Sequence, residues 1–161
     1  MDRANTIEFR ISREDLENFY ANPKQVDLEA IRSKGKEQAT VFMELAARYN
    51  IQIDRKSHKT IFIEFFEQLQ AAGAEFGFRT AQEMSELIAF LQYFGTSLDE
   101  AYDIAIMQKL LPKLHGSRSK LSKPLAALIK LCENKYPISL EKLNRMLKNA
   151  EENGFTSYAE A

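Results

Sequence analysis

The sequence contains few of the residue types on which most catalytic and metal sites depend. It has one cysteine and two histidines in 161 residues, so an internal disulfide is excluded. It contains no GxxxxGK[ST] phosphate loop and no HExxH, CxxC or GxSxG motif. The usual parts of an NTP-binding loop, a metal centre or an acyl-transfer site are therefore missing. We expect the chain by itself to be catalytically silent.

Other absences limit the class of protein. Four prolines, six glycines and no low-complexity run argue against a disordered chain. No apolar stretch approaches the roughly 20 residues that a bilayer span requires, and the N-terminus lacks the pattern of a signal peptide. The lone Cys132 stands among leucines and Ile129, which favours a small core residue over a nucleophile. These features predict a soluble domain in the reducing cytoplasm.

Residues 76–118 carry the strongest pattern in the chain. In each of the segments 80–83 and 97–100, a hydroxyl residue is followed three positions later by glutamate, which is the signature of a helix start. Apolar residues then recur at helical spacing. They are Met84, Leu87, Ile88, Leu91 and Phe94 in the first helix, and Ala101, Ile104, Ala105, Leu110 and Leu111 in the second. The segment predicts an antiparallel helical hairpin.

Arg79 stands one residue before the first predicted cap. A helix N-terminus offers free N–H donors and a partial positive charge, and a guanidinium beside it adds bidentate donors for phosphate oxygens. This combination indicates an anion site. The alternative is a solvated arginine whose stem covers apolar surface.

The remaining pattern is almost entirely helical. Ile7, Phe9 and Ile11 alternate with polar residues and predict one strand, but no second convincing strand follows to pair with it. We therefore expect the strand to be a remnant of a sheet that this chain lacks. Further helices are predicted from Ser12 to Asn22, from about Lys36 after a break at Gly35 to Tyr49, from Lys59 to Ala72, from Ser122 to Tyr136, and from Ser139 to Gly154. The predicted class is all-α, a small helical bundle with five helices after residue 59.

Charge is distributed unevenly along the chain. Residues 1–104 carry 12 basic and 18 acidic residues, residues 105–150 carry 10 and 2, and residues 151–161 carry none and 3. The basic block comprises Lys109, Lys113, Arg118, Lys120, Lys123, Lys130, Lys135, Lys142, Arg145 and Lys148. It is suited either to nucleic acid or an acidic partner, or simply to solvated helix faces.

Three segments resemble the C-terminal part of McrB-like AAA+ ATPases, a branch that also resembles the MoxR group. They read DRANTIEF, EFFEQLQAAGAEFGFRTAQEMSELIAFL and LDEAYDIAIMQKLLPKLHGSR, and the resemblance covers about two thirds of the chain. It implies that residues 1–11 are the last strand of an AAA+ core, residues 12–58 a helical linker or insert, and residues 59–161 the helical lid over the nucleotide.

The same resemblance implies roles for two arginines. Arg79 matches the sensor-2 arginine, which reaches the nucleotide phosphates in the same subunit. Arg3 matches the region that supplies an arginine finger to the neighbouring subunit. Both roles place a guanidinium where charge develops during phosphoryl transfer.

The implied cofactor is ATP or GTP with Mg²⁺, bound by a core that these residues do not include. The implied partners are that core, neighbouring subunits of a ring, a McrC-like nuclease and DNA. Two other classes remain open from the residues themselves. One is a stand-alone helical adaptor for a partner protein, and the other is a basic helical DNA-binding module.

Overall fold

The computed structural model describes residues 5–23, 27–48, 53–54 and 56–161. The chain divides into two compact units, one spanning Glu8–Asn50 and the other combining Met1–Ile7 with Ile51–Ala161. The division into residues 1–11, 12–58 and 59–161 that the resemblance implies stays a prediction.

The described residues of the smaller unit form two helices, α1 (Arg13–Ala21) and α2 (Leu28–Arg48). Ser12 and Asp15 form the predicted capping box at the start of α1, and the carboxylate of Asp27 accepts a hydrogen bond from the Ala30 N–H at 2.9 Å. The predicted break at Gly35 is wrong, because α2 runs through it without interruption. One glycine costs about 1 kcal/mol relative to alanine in a helix interior, which a 21-residue helix tolerates.

Five α-helices build the described part of the larger unit, as predicted. They are α3 (Lys59–Ala71), α4 (Phe78–Tyr93), α5 (Leu98–Ala105), α6 (Arg118–Cys132) and α7 (Pro137–Asn153). The fold is therefore all-α. Ser97 caps α5 by accepting a hydrogen bond from the Glu100 N–H, and Gly154 ends α7 in the left-handed conformation with φ of +74°. Both ends were predicted from the sequence.

The second helix of the predicted hairpin is not α-helical throughout. After α5 the chain continues as a π-helical segment (Ile106–Leu110) and then a 3₁₀ turn (Leu111–Lys113). The wider turn keeps Ile106, Met107 and Leu110 buried. The backbone N–H of Thr6 donates to the carbonyl of Gln108 in this segment at 3.2 Å, which attaches the N-terminal residues of this unit to it.

Two predictions about strands are wrong. The described residues 5–12 form no strand, and Phe9 is 89% exposed, because an isolated strand has no neighbour to pair with its backbone or to cover its apolar face. The expectation that no second strand follows is also wrong, because β1 (His115–Ser117) pairs antiparallel with β2 (Phe155–Ser157).

Helix α6 begins at Arg118, four residues earlier than predicted, and Pro124 lies inside it. The pairing of the two strands explains the early start, since the Arg118 N–H donates to the Gly154 carbonyl at 2.8 Å at the end of the ladder.

One apolar core unites the larger unit. Its fully buried large side chains are Phe65, Leu69, Met84, Ile88, Ile106, Leu110, Leu111, Leu114, Leu121, Leu125 and Leu128. They come from α3, α4, α6 and the segment from the π-helix to Leu114, and α7 adds Leu143 and Met146. Burial of this many large side chains, each contributing about 1.5–3 kcal/mol, is the main stabilising term of the bundle. Among the described helices, none has the length and apolar character needed to cross a membrane.

Candidate functional site

Arg79 lies in the first turn of α4, on the surface of the bundle. The structure corrects the predicted cap, because α4 begins after Gly77 and already includes Arg79 when it reaches Thr80. The Thr80 side chain is buried and does not cap the helix. No side chain of the described residues caps this helix, so N–H groups of its first turn remain available beside Arg79.

The guanidinium of Arg79 is held by a single carboxylate. Its Nε donates to Glu83 Oε1 at 2.9 Å, and the arginine side chain remains 65% exposed. The other oxygen of Glu83 accepts from Lys109 Nζ at 2.7 Å. These hydrogen bonds, that from Lys109 first and that from Arg79 second, hold the pKa of Glu83 below its usual value.

The two cations that share Glu83 differ in their environment. The Lys109 side chain is 9% exposed and comes from the π-helical segment, whereas Arg79 projects towards solvent. Lys109 is thus a fixed member of the cluster, and Arg79 is the member that is free to reach another anion. We call Arg79, Glu83 and Lys109 the arginine cluster.

An apolar cleft of about 500 Å³ opens next to the arginine cluster, between α3 and the start of α4. It is lined by Phe62, Ile63, Phe66, Glu75, Phe76, Gly77, Phe78 and Ala81. Phe66 and Phe76 pack edge to face at 5.5 Å, and Phe78, the residue before Arg79, is almost fully exposed. The exposed Phe78 thus places an apolar surface between the cleft and Arg79.

The family model for DUF8727, a domain of unknown function, matches residues 27–155. The chain belongs to this family. No curated protein and no solved structure matches the sequence. Membership in DUF8727 covers most of the chain but names no activity, so the functional argument for this DUF8727 domain depends on its own residues.

The structure distributes the basic block of this DUF8727 domain over several roles. Lys109 belongs to the arginine cluster, and Lys142 is buried, with its Nζ donating to the Ala161 carbonyl at 2.6 Å. Arg145 and Lys148 form ion pairs along α7 with Glu141 and Glu152. The exposed basic side chains that remain on α6 are Arg118, Lys120, Lys123 and Lys130. The block is therefore not one continuous basic surface.

The other predicted residues have separate outcomes. Arg3 lies outside the described residues, so its role stays a prediction. Cys132 is buried, and burial raises the pKa of its thiol to about 12, which confirms a core residue. Sequence reasoning did not identify Glu83 and Lys109 as partners of Arg79. The spacing of four residues between Arg79 and Glu83 was a readable signal, whereas Lys109 is distant in sequence and gave none.

Proposed function

We propose that this chain provides the helical lid of an AAA+ NTPase of the McrB-like type, in which Arg79 contacts the phosphates of bound ATP or GTP. One observation carries the proposal. The Arg79 guanidinium is solvent-accessible at the uncapped start of α4, with only a surface carboxylate holding it. The resemblance of the surrounding sequence to the lid of those enzymes supplies the identity of the anion.

The geometry suits a reversible contact. Ion pairs between exposed side chains contribute about 0–1 kcal/mol, so a phosphate group competes easily with Glu83 for Arg79. Phosphate accepts charge-assisted, bidentate hydrogen bonds from guanidinium, and the first-turn N–H groups of α4 add donors of the same kind. Lys109 keeps Glu83 occupied after Arg79 has moved.

Hydrolysis would then drive movement of the bundle. Triphosphate bound to the NTPase core draws Arg79 and its helix towards the core, and loss of the γ-phosphate removes that contact. A ligand shifts a conformational equilibrium only by its difference in affinity for the two states. The contact with Arg79 is such a difference, because it exists only when the lid is closed.

The proposal includes the implied setting of such an enzyme. The nucleotide-binding core and the neighbouring subunits of a ring are the direct partners, and Mg²⁺ accompanies the nucleotide in the core. A McrC-like nuclease and DNA are the partners of the assembled machine, which would work in the cytoplasm. Arg3 would contribute to the site of the adjacent subunit.

The test is nucleotide turnover by the natural protein that combines this sequence with its NTP-binding core. Arg79→Ala is expected to lower kcat by about 100-fold, as removal of a group that stabilises developing charge does, and Arg79→Lys to recover part of the loss. Arg13→Ala is a matched control, because Arg13 forms the same type of exposed ion pair with Glu17 on α1. Unchanged kcat and nucleotide affinity in Arg79→Ala would reject the proposal.

A further inference from the structure

A second cleft, of about 290 Å³, lies on the larger unit and is polar where the first is apolar. Three buried aromatic rings line it. Tyr136 has its ring centroid 6.2 Å from that of Tyr102 and 6.4 Å from that of Phe65. We call this the tyrosine cleft. Its walls come from the start of α3, the start of α5 and the turn between α6 and α7.

Two carboxylates line the tyrosine cleft, Glu64 from α3 and Asp99 from α5. Both are exposed, and neither forms an ion pair or side-chain hydrogen bond with a described residue. Lys135 also lines the cleft, but it lies beyond ion-pair distance of both carboxylates in the described part of the chain. The negative charge in the cleft is therefore not neutralised by direct contact.

Tyrosine hydroxyl groups complete the cleft. The Tyr136 side chain is only 3% exposed, and its hydroxyl has no hydrogen-bond partner among the described residues. Its oxygen is not one of the fully enclosed unpaired polar atoms of those residues, so it opens into the cleft and is available to a ligand. The hydroxyl of Tyr102 lies 2.7 Å from His58 Nδ1. When it donates to a neutral His58, its oxygen keeps lone pairs for an incoming donor.

The negative charge of the cleft also acts on the two tyrosine hydroxyl groups. Burial raises the pKa of both tyrosines, and the charge of Asp99 raises each further. Glu64 adds to the effect at Tyr136. The phenols therefore stay neutral at physiological pH, and the carboxylates act on the same space that the hydroxyls face.

We propose that the tyrosine cleft binds a guanidinium group. Guanidinium brings five N–H donors in a fixed plane, which suits two carboxylates and two phenolic oxygens, and its flat face packs on aromatic rings. An anionic ligand would be repelled by the carboxylates of Glu64 and Asp99 and attracted only by the ammonium group of Lys135. A compact ammonium ion has three donors and no planar face, so it matches the cleft less well. This site lies apart from the arginine cluster and does not depend on the proposed function.

The experiment is titration of the isotopically labelled chain with two guanidinium probes, followed by two-dimensional amide NMR. One probe is arginine amide and the other is the capped tripeptide acetyl-Gly-Arg-Gly-amide. We expect saturable shifts centred on Thr60, Asp99 and Tyr136. Equal affinities would indicate a small-molecule ligand, and tighter binding of the tripeptide would indicate an arginine of a partner protein. The citrulline version of the tripeptide, which is neutral and nearly isosteric, should bind at least about ten-fold more weakly, since a charge-assisted hydrogen bond contributes about 1.5–3 kcal/mol.

Variants assign the binding to the cleft. The double variant Glu64→Gln, Asp99→Asn should bind the arginine probes about ten-fold more weakly or worse. Tyr136→Phe, which keeps the ring but removes the hydroxyl, should weaken binding by a smaller factor. Glu67→Gln with Glu100→Gln is the matched control, because these exposed glutamates lie on the same two helices but do not line the cleft. The proposal fails if arginine and citrulline probes bind alike, if a lysine tripeptide binds as tightly as the arginine tripeptide, or if both double variants behave in the same way.

Discussion

The carboxylate of Asp103 in α5 caps the start of α7 by binding residues 35 and 36 positions later in the chain. Its Oδ1 accepts from the Ser139 N–H and its Oδ2 from the Ile138 N–H, both at 2.8 Å. The Ser139 hydroxyl donates to the Asp103 carbonyl at 3.2 Å. Tyr136, at the N-cap position, forms no side-chain cap, so Asp103 performs that function from another helix and positions α7 against α5.

Removing this cap should destabilise the whole bundle. Asp103 is buried, so Asp103→Ala leaves two first-turn N–H groups without their acceptor, and we expect a loss of about 2–4 kcal/mol in the free energy of unfolding. Asp103→Asn keeps one acceptor and should lose about half of that. Urea denaturation measures both, with Glu100→Gln on the exposed face of α5 as a control expected to stay within about 0.5 kcal/mol. Wild-type stability in Asp103→Ala would contradict the capping role.

The arginine cluster should show an asymmetry between its two cations. Arg79→Ala removes an exposed ion pair and should change the free energy of unfolding by less than about 1 kcal/mol. Glu83→Gln should cost more, about 1–2 kcal/mol, because the Lys109 ammonium, 9% exposed, then loses its charged partner. Adding Lys109→Met to Glu83→Gln should recover part of the loss. Equal effects of Arg79→Ala and Glu83→Gln, with no recovery in the double variant, would show that Lys109 does not depend on Glu83.

Local signals were readable from the sequence alone. Ser12 with Asp15, and Ser97 with Glu100, mark helix starts because a cap needs only residues three positions apart. Gly154 marks a helix end because the left-handed conformation favours glycine. Thr80 gave the same signal as Ser97 and was misleading. Its side chain is buried in the first turn of a helix that begins after Gly77, where packing determines the boundary.

Contacts between distant residues could not be predicted. The pairing of His115–Ser117 with Phe155–Ser157 depends on how α6 and α7 return the chain to the same place, and three-residue strands are too short to show alternation. The ion pair of Glu83 with Lys109 and the cap from Asp103 to Ser139 depend on packing in the same way. The candidate site was therefore predicted at Arg79, where the argument is local, but not in the partners that hold it.

Cys132 should be unreactive in the folded protein. Burial and the nearby charge of Asp103 raise the pKa of its thiol to about 12, so only about one thiol in ten thousand is ionised near pH 8. We expect Ellman's reagent to label native protein at least about 100-fold more slowly than protein in concentrated guanidinium chloride. Asp103→Ala should label faster than wild type, since destabilisation exposes Cys132 more often. Rapid labelling of the native wild-type protein would contradict the position of Cys132 in the core.

His58 should make the bundle less stable in mild acid. Burial lowers its pKa, against a smaller opposing effect of Asp54, so the folded state binds a proton less readily than the unfolded state. The contribution of neutral His58 to the free energy of unfolding is fully present above the ordinary histidine pKa of about 6.5. As the pH falls below that value towards the lowered pKa, this contribution is lost by up to about 1.4 kcal/mol per pH unit. His58→Gln keeps an acceptor for the Tyr102 hydroxyl but removes the titration. Urea denaturation at several values between about pH 7 and pH 5 should therefore show a weaker pH dependence of the free energy of unfolding for His58→Gln than for wild type.

The control is His115→Gln, at the exposed histidine, which should keep the wild-type pH dependence. The assignment to His58 fails if His115→Gln weakens the pH dependence instead.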